Sequence, residues 1–436
     1  MDKLTFGNLA LRMSSFNQNR KYLTPIFLIM ILAISGFGIY ISHSNRNSAS
    51  PNSTTYVGVA FGGNTTAEAK LLIDRVKSYT NLFVLDSGRN PISQNQSSIE
   101  EICDYAVSNG LNVIINLGIR DVRDSSRFWF WQHNLNNTQL WTVRWGSKFL
   151  GIYYDDEPGG IQLDGNWSDW FRNYGQTFLQ RNFTTANDLN QIYLNMLAAM
   201  TNGTSPQNYD LESKFFVQDL LQRDGGLNAL KADGITTFTS DYCLYWFDYL
   251  GGYNVLFTQL GWNCSVSEQI ALVKGAARLQ NKTWGAILTW KYDSAPYLDT
   301  EDQIYNQMLF SYEAGAKYIV IFNYPYDGND YGAMRDEQFI ALQRFWNDVH
   351  GKKFANLSDP EVALVLPKNY GWGMRYPNDT IWGFWPTDNK TQQIAMDTSK
   401  LLAEYGVSLD IVYDDPAYPV TNVGYQFVYY WNSTFT

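Results

Sequence analysis

Apolar and polar positions alternate along this chain on two length scales. Short apolar runs of strand length recur at 56–62 (YVGVAFG), 82–88 (LFVLDSG), 111–118 (LNVIINLG), 149–156 (FLGIYYDD), 236–243 (TTFTSDYC), 254–261 (NVLFTQLG), 284–290 (WGAILTW) and 318–325 (YIVIFNYP). Between several of them, apolar residues return every three or four positions, at TAEAKLLIDRVKSY, SSIEEICDYAVSNG, SVSEQIALVKGAARLQN and TEDQIYNQMLFSYEAGA. Near-continuous apolar strands alternating with amphipathic helices are the pattern of a parallel sheet built from βα units. Eight such units predict an α/β protein folded as a (β/α)8 TIM-like barrel over 56–355. An open doubly wound sheet is the alternative, because the fourth and fifth runs are separated by about 80 residues and the fifth and sixth by only about ten.

A shorter series follows over 360–436. VALVLP and LDIVYDDP read as strands, TQQIAMDTSKLLAEYG as a helix between them and YQFVYYWN as a last strand. This predicts a small C-terminal α/β domain, part of a flavodoxin-like layer. At the other end, residues 22–42 (YLTPIFLIMILAISGFGIYIS) carry no charge and are long enough to cross a bilayer as a transmembrane helix. Lys3, Arg12, Arg20 and Lys21 precede this run and only Arg46 follows closely. Residues 1–21 are therefore expected in the cytoplasm, and everything past the polar stalk at 43–55 outside a single-pass membrane anchor. A cleaved signal peptide is the alternative. Thirteen Asn-x-Ser/Thr sequons, from Asn52 to Asn432, all lie beyond the apolar run, so N-glycans are expected on the outer part.

Composition narrows the chemistry. Hydrophobic residues make up 45%, enough to fill a large core, and the net charge of −10 leaves no basic surface for nucleic acid. Three cysteines support at most one disulfide. Cys243 and Cys264, near neighbouring strands, are the pair open to it, and Cys103 lies on the apolar face of a helix as a buried thiol. With only three histidines, and with no nucleophile elbow, phosphate loop, dinucleotide fingerprint or paired zinc spacing, no cofactor or metal is expected.

What remains is carboxylate chemistry at strand ends, where a barrel carries its site. The fourth run ends in GIYYDDEPGG, three acids before a turn. Side chains alternate along a strand, so Asp155 and Glu157 are expected to point the same way, about 6–7 Å apart along the chain, with Asp156 turned away. That geometry suits Glu157 as a general acid and Asp155 as its supporting carboxylate; the structural alternative is an acidic cap before a Pro turn, with or without a bound cation. The other strand ends deliver Asp86, Asn116, Asp241, Gln259 with Trp262, then Trp290, Lys291, Tyr292 and Asp293, then Asn323. Trp262, Trp290, Trp246, Tyr245 and Tyr292 are candidates for stacking on sugar faces, with core packing as the alternative. The aromatic loop at 369–386 reads as a mouth lid or as a seal on the seam between the two α/β parts.

GIYYDDE resembles the fourth-strand signature of chitinase-type barrels, a glycine leading a D-x-D-x-E ladder, with Tyr153 where the ladder has its first Asp. The eight strands, the acid at the fourth and the aromatic rim resemble the wider group of barrel glycosidases. The resemblance implies a glycoside hydrolase acting on an oligo- or polysaccharide, with Glu157 matching the final Glu of the ladder and Asp155 the Asp two before it. The seventh strand ends in Trp290-Lys291-Tyr292-Asp293, not in the Glu that many retaining barrel glycosidases carry there. This leaves substrate assistance oriented by Asp155, or inversion with Asp293 or Asp241 as base. A non-catalytic carbohydrate-binding or envelope scaffold protein is the competing class.

Overall fold

The computed structural model describes residues 55–86, 91–117, 136–165, 208–222, 226–261, 264–292, 296–325, 329–352 and 361–433. The expected anchor at 22–42 lies outside them, and among the described residues no helix is long and apolar enough to cross a membrane. Asn52–Thr436 form one compact unit.

Eight parallel strands close a barrel in sequence order: β1 (Tyr56–Phe61), β2 (Leu82–Leu85), β3 (Asn112–Asn116), β4 (Phe149–Tyr153), β5 (Thr237–Asp241), β6 (Val255–Leu260), β7 (Thr283–Leu288) and β8 (Tyr318–Ile321). Closure comes from β1 pairing with β8, so the open-sheet alternative is excluded. Each apolar run is buried on both faces, which is why it reads as continuous rather than alternating. Ala60, Val84, Ile114, Tyr153, Phe238 and Phe257 fill the barrel. Their alternate neighbours, such as Val59, Phe83 and Ile152, face the helix layer. Interior glycines make room for these rings: a Cβ on Gly285 would sit 2.9 Å from Phe257, and one on Gly151 2.9 Å from Phe238.

The helices follow the local rules for their ends. Thr66–Val76 opens on a capping box between Thr65 and Glu68. Asn95 caps Gln96–Ser108 by accepting from the amides of Ser97 and Ser98. Cys103 on that helix is fully buried, and burial pushes its thiol well above the ordinary value. Cys243 and Cys264 are both free thiols, so the disulfide left open by the sequence is not formed.

Past the barrel, β9 (Val362–Leu366), β10 (Leu409–Tyr413) and β11 (Phe427–Tyr430) form a three-stranded parallel sheet in the order β10-β9-β11, with the helix Asn389–Tyr405 between β9 and β10. The sheet docks on the barrel helix Val266–Leu279. Gly275 of that helix lies so close to β10 that a Cβ would meet the Ile411 carbonyl at 2.5 Å. Lys274 and Arg278 each reach the buried Asp410 at 3.0 Å, and the Tyr425 hydroxyl donates to it at 2.8 Å. A buried carboxylate needs such compensation.

The loop at 369–386 seals this packing. Trp372, Trp382 and Trp385 are buried, and Trp382 lies against Phe216 and Phe247. Gln162 donates to the Trp382 carbonyl at 3.0 Å, and Arg375 joins Asp379 to Asp164. The loop is a seam that clamps the short helix Pro158–Asp164.

Candidate active site

At its C-terminal end β4 departs from strand geometry earlier than the apolar run suggests. The strand stops at Tyr153, and Asp155 and Glu157 adopt left-handed backbone, with φ of +55° and +51°. Left-handed geometry is costly for a residue with a Cβ, and such residues cluster at functional sites. Here it rotates the acidic run out of strand alternation. The carboxylate that meets the inward-facing Tyr153 is consequently Asp156, not Asp155. Asp155 turns Oδ1 back on the Asp156 amide at 3.0 Å.

Continuing the inward set of each strand to its end brings Asp86, Asn116, Tyr153, Ser240 and Gln259 to one side of the mouth. Asn116 donates to Asp86 at 2.5 Å. The Tyr153 hydroxyl donates to Asp156 Oδ1 and lies 2.7 Å from Ser240 Oγ. Ser240 also donates to Asp156, at 3.3 Å. Gln259 spends its two amide protons on Ser240 Oγ (2.8 Å) and Glu157 Oε1 (2.7 Å). Asp156 and Glu157 are therefore joined through a continuous chain across β4, β5 and β6. Burial first, and the Asp156 charge second, push the Tyr153 hydroxyl well above its ordinary pKa, so it remains a donor.

The other side of the mouth is aromatic. Half-buried Trp290 lies edge-on to Tyr297 at 4.3 Å between ring centres and within about 6 Å of Phe322 and Tyr324. Tyr292 beside it is 42% exposed. Gly62 ends β1 between the two sides, where a Cβ would lie 3.0 Å from the Tyr324 ring and 3.3 Å from the Asp86 carbonyl.

Several expected site residues have other partners. Asp241 is fully buried on the helix side of β5, its carboxylate taken up by the amides of Gly159, Gly160 and Tyr242. Asn323 closes its own loop, donating to the Tyr331 carbonyl and accepting from the Met334 amide. Lys291 is paired with the buried Asp299 at 3.2 Å. Trp246 packs on Tyr413 and Tyr418, and the Tyr245 hydroxyl bonds Gln269 and lies 2.7 Å from Thr258, so both are core residues. Asp293 and Trp262 lie outside the described residues. Tyr153, Ser240 and Asp156 are members of the candidate site that sequence reading missed. The signal for Ser240 was its even spacing from the interior Phe238; Asp156 had none, because the left-handed turn that reorients it has no signature in DDE.

No family model matches the chain, and no curated protein matches its sequence. Among solved structures, the chain is similar to a GH5_18 variant from Streptomyces cattleya in complex with Manb1-4GlcNAc: TM-score 0.51, 11% identity, covering 87% of this chain and 99% of that one. It is also similar to the polyextremophilic beta-galactosidase from the Antarctic haloarchaeon Halorubrum lacusprofundi, with TM-score 0.51 and 9% identity over 82% of this chain and 66% of that one. At these identities the likeness is one of fold: a (β/α)8 barrel of the kind these carbohydrate-related proteins use.

Proposed function

We propose that this chain is a membrane-anchored, outward-facing glycoside hydrolase whose acid is Glu157. The observation that carries the reading is the division of the barrel mouth. One side is a hydrogen-bonded row of carboxyl, amide and hydroxyl groups, and the side beyond Gly62 is a cluster of aromatic rings. A pyranose has the same two characters, an apolar C–H face and a rim of hydroxyls, so the mouth fits a sugar ring placed against Trp290 and Tyr292 with its hydroxyls toward Asp86 and Asn116.

The roles follow from the contacts. Gln259 pins Glu157 Oε1 as an acceptor, so a proton on this carboxyl resides on Oε2, from which it passes to the departing glycosidic oxygen. Asp156 receives Tyr153 and Ser240, donors that stabilise its negative charge, and supplies the charge opposite the oxocarbenium-like centre. It takes the supporting place first given to Asp155. Of the two bases considered for inversion, Asp241 is occupied by backbone amides, which leaves Asp293, outside the described residues, as the proposed base. Related barrels named as a beta-galactosidase and as a complex with Manb1-4GlcNAc support a β-linked neutral or N-acetylated substrate. The apolar run at 22–42 and the sequons beyond it support the placement outside a membrane.

The test is reducing-end release from a panel of neutral and N-acetylated β-linked oligosaccharides by the full-length protein in detergent. Release from at least one class is expected. Glycan binding without release from any of them would replace the enzyme with a carbohydrate-binding module.

A further inference from the structure

The turn that carries Glu157 is gripped from the end of β5. The Glu157 amide donates to the Ser240 carbonyl at 3.1 Å. Pro158 follows and has no amide proton to place. The next two amides, Gly159 and Gly160, both donate to Asp241, at 2.6 Å to Oδ2 and 3.0 Å to Oδ1. Two adjacent residues of β5 therefore hold the backbone on both sides of Glu157, whose left-handed conformation is unfavourable for a residue with a Cβ.

The two glycines are what let β5 come this near. A Cβ on Gly159 would lie 3.0 Å from Asp241 Oδ2 and 2.8 Å from the Leu244 Cβ, and one on Gly160 would lie 2.3 Å from the Tyr242 ring. The PGG of the sequence is thus a close-approach motif for a carboxylate arriving from the neighbouring strand.

We propose that Asp241 is the positioning residue of the site: by holding the Gly159 and Gly160 amides it fixes Glu157 in its left-handed turn, with its carboxyl against Gln259. Asp241 touches no substrate in this arrangement and acts only through that turn. Asp248, behind it on the helix Tyr245–Leu250, is fully buried and its carboxyl group is hydrogen-bonded to that of Asp241. Burial and the neighbouring Asp241 push it well above the ordinary carboxyl range. Of the two carboxyls, Asp241 is the one that backbone amides receive, those of Gly159, Gly160, Tyr242 and Cys243.

The proposal rests on the reading of Glu157 as the acid, and its test separates the two claims. In the full-length protein, Asp241→Asn leaves an acceptor oxygen for only one of the Gly159 and Gly160 amides and sets an NH2 donor against the other. Hydrogen exchange of the peptide spanning 157–165 is expected to accelerate at least tenfold, since a gripped amide exchanges only when the turn opens. On a substrate the wild type cleaves, kcat is expected to fall about 100-fold with KM within about threefold, the signature of a misplaced catalytic group rather than of a lost subsite. Asp248→Asn leaves the grip intact and is expected to leave that exchange rate unchanged. If Asp241→Asn does not fold, Gly159→Ala, which forces the same two groups apart, is expected to show both effects. Unchanged exchange at 157–165 overturns the grip. Faster exchange with wild-type kcat per folded molecule overturns the positioning role and leaves Asp241 a structural cap. A wild-type protein that cleaves nothing refutes the reading of Glu157, while the exchange experiment still decides the grip.

Discussion

Ser240 and Asp241 are adjacent at the end of β5, yet they belong to different layers. Ser240 follows Phe238 in the row facing the barrel axis, where it meets Tyr153, Asp156 and Gln259. Asp241 follows Thr239 in the row facing the helices and is used by backbone amides. The same division separates the two asparagines at strand ends. Asn116, inward, reaches Asp86 across strands. The Asn323 side chain, outward, bonds the loop that follows it. What a polar residue does at the rim is set by the parity of its strand, and the residue type alone does not reveal it. Inward groups find partners on other strands and build the mouth; outward groups find backbone nearby and build the frame.

Variants at the two kinds of position sharpen this contrast. Gln259→Leu, inward, removes the donor on Glu157 and is expected to lower kcat about 100-fold with KM nearly unchanged. A wild-type kcat would show that the inward chain is structural. Trp290→Ala, on the aromatic side, is expected to raise KM about tenfold by losing a stacking face, while kcat changes much less. Equal losses in both parameters would mean that the two sides of the mouth are not separate in function.

The frame has its own signature in stability. Burial raises Asp241 to about 7 and pushes the buried Glu212 well above its ordinary value. For such groups the folded state binds more protons than the unfolded one from about pH 4 upward, so their contribution is full below that point and is lost as pH rises through the folded value, at about 1.4 kcal/mol per pH unit for each group at most. Asp104, lowered by its hydrogen bonds to Arg144, acts in the opposite sense: its contribution is present above about pH 4 and is lost on acidification. Chemical denaturation is therefore expected to show greater stability near pH 4.5 than near pH 7.5. A rise toward neutrality would mean that these carboxyls are ionised at no cost. The smallest effect is assigned to Asn323→Ala, a loss of about 1–3 kcal/mol with unchanged kcat per folded molecule. A fall in kcat would return Asn323 to the mouth.

Much of this arrangement was legible in the sequence. The eight apolar runs mark the eight strands because a parallel barrel buries both faces of each, and that pattern survives an insertion of any length between β4 and β5. The acidic end of β4 marked the candidate site. What could not be read was the direction of each acid. Alternation predicts side-chain direction only while the backbone stays extended, and β4 leaves it at Asp155. The PGG after Glu157 reads as a turn, and its use by Asp241, some eighty residues on, depends on which strands become neighbours. Tyr245 was open between stacking and core packing for a related reason: the buried Gln269 that takes up its hydroxyl comes from the helix after β6.

Glu157 is proposed as a proton donor in a mouth whose other groups would bind the sugar. The measurement that tests it most directly is kcat for wild type and Glu157→Gln on one oligosaccharide that calorimetry shows both proteins bind. The amide keeps the Gln259 contact and has no proton to give, so binding within about threefold and a loss of turnover of about 1,000-fold are expected. Turnover equal in the two proteins would contradict the account and place the acid elsewhere on the rim.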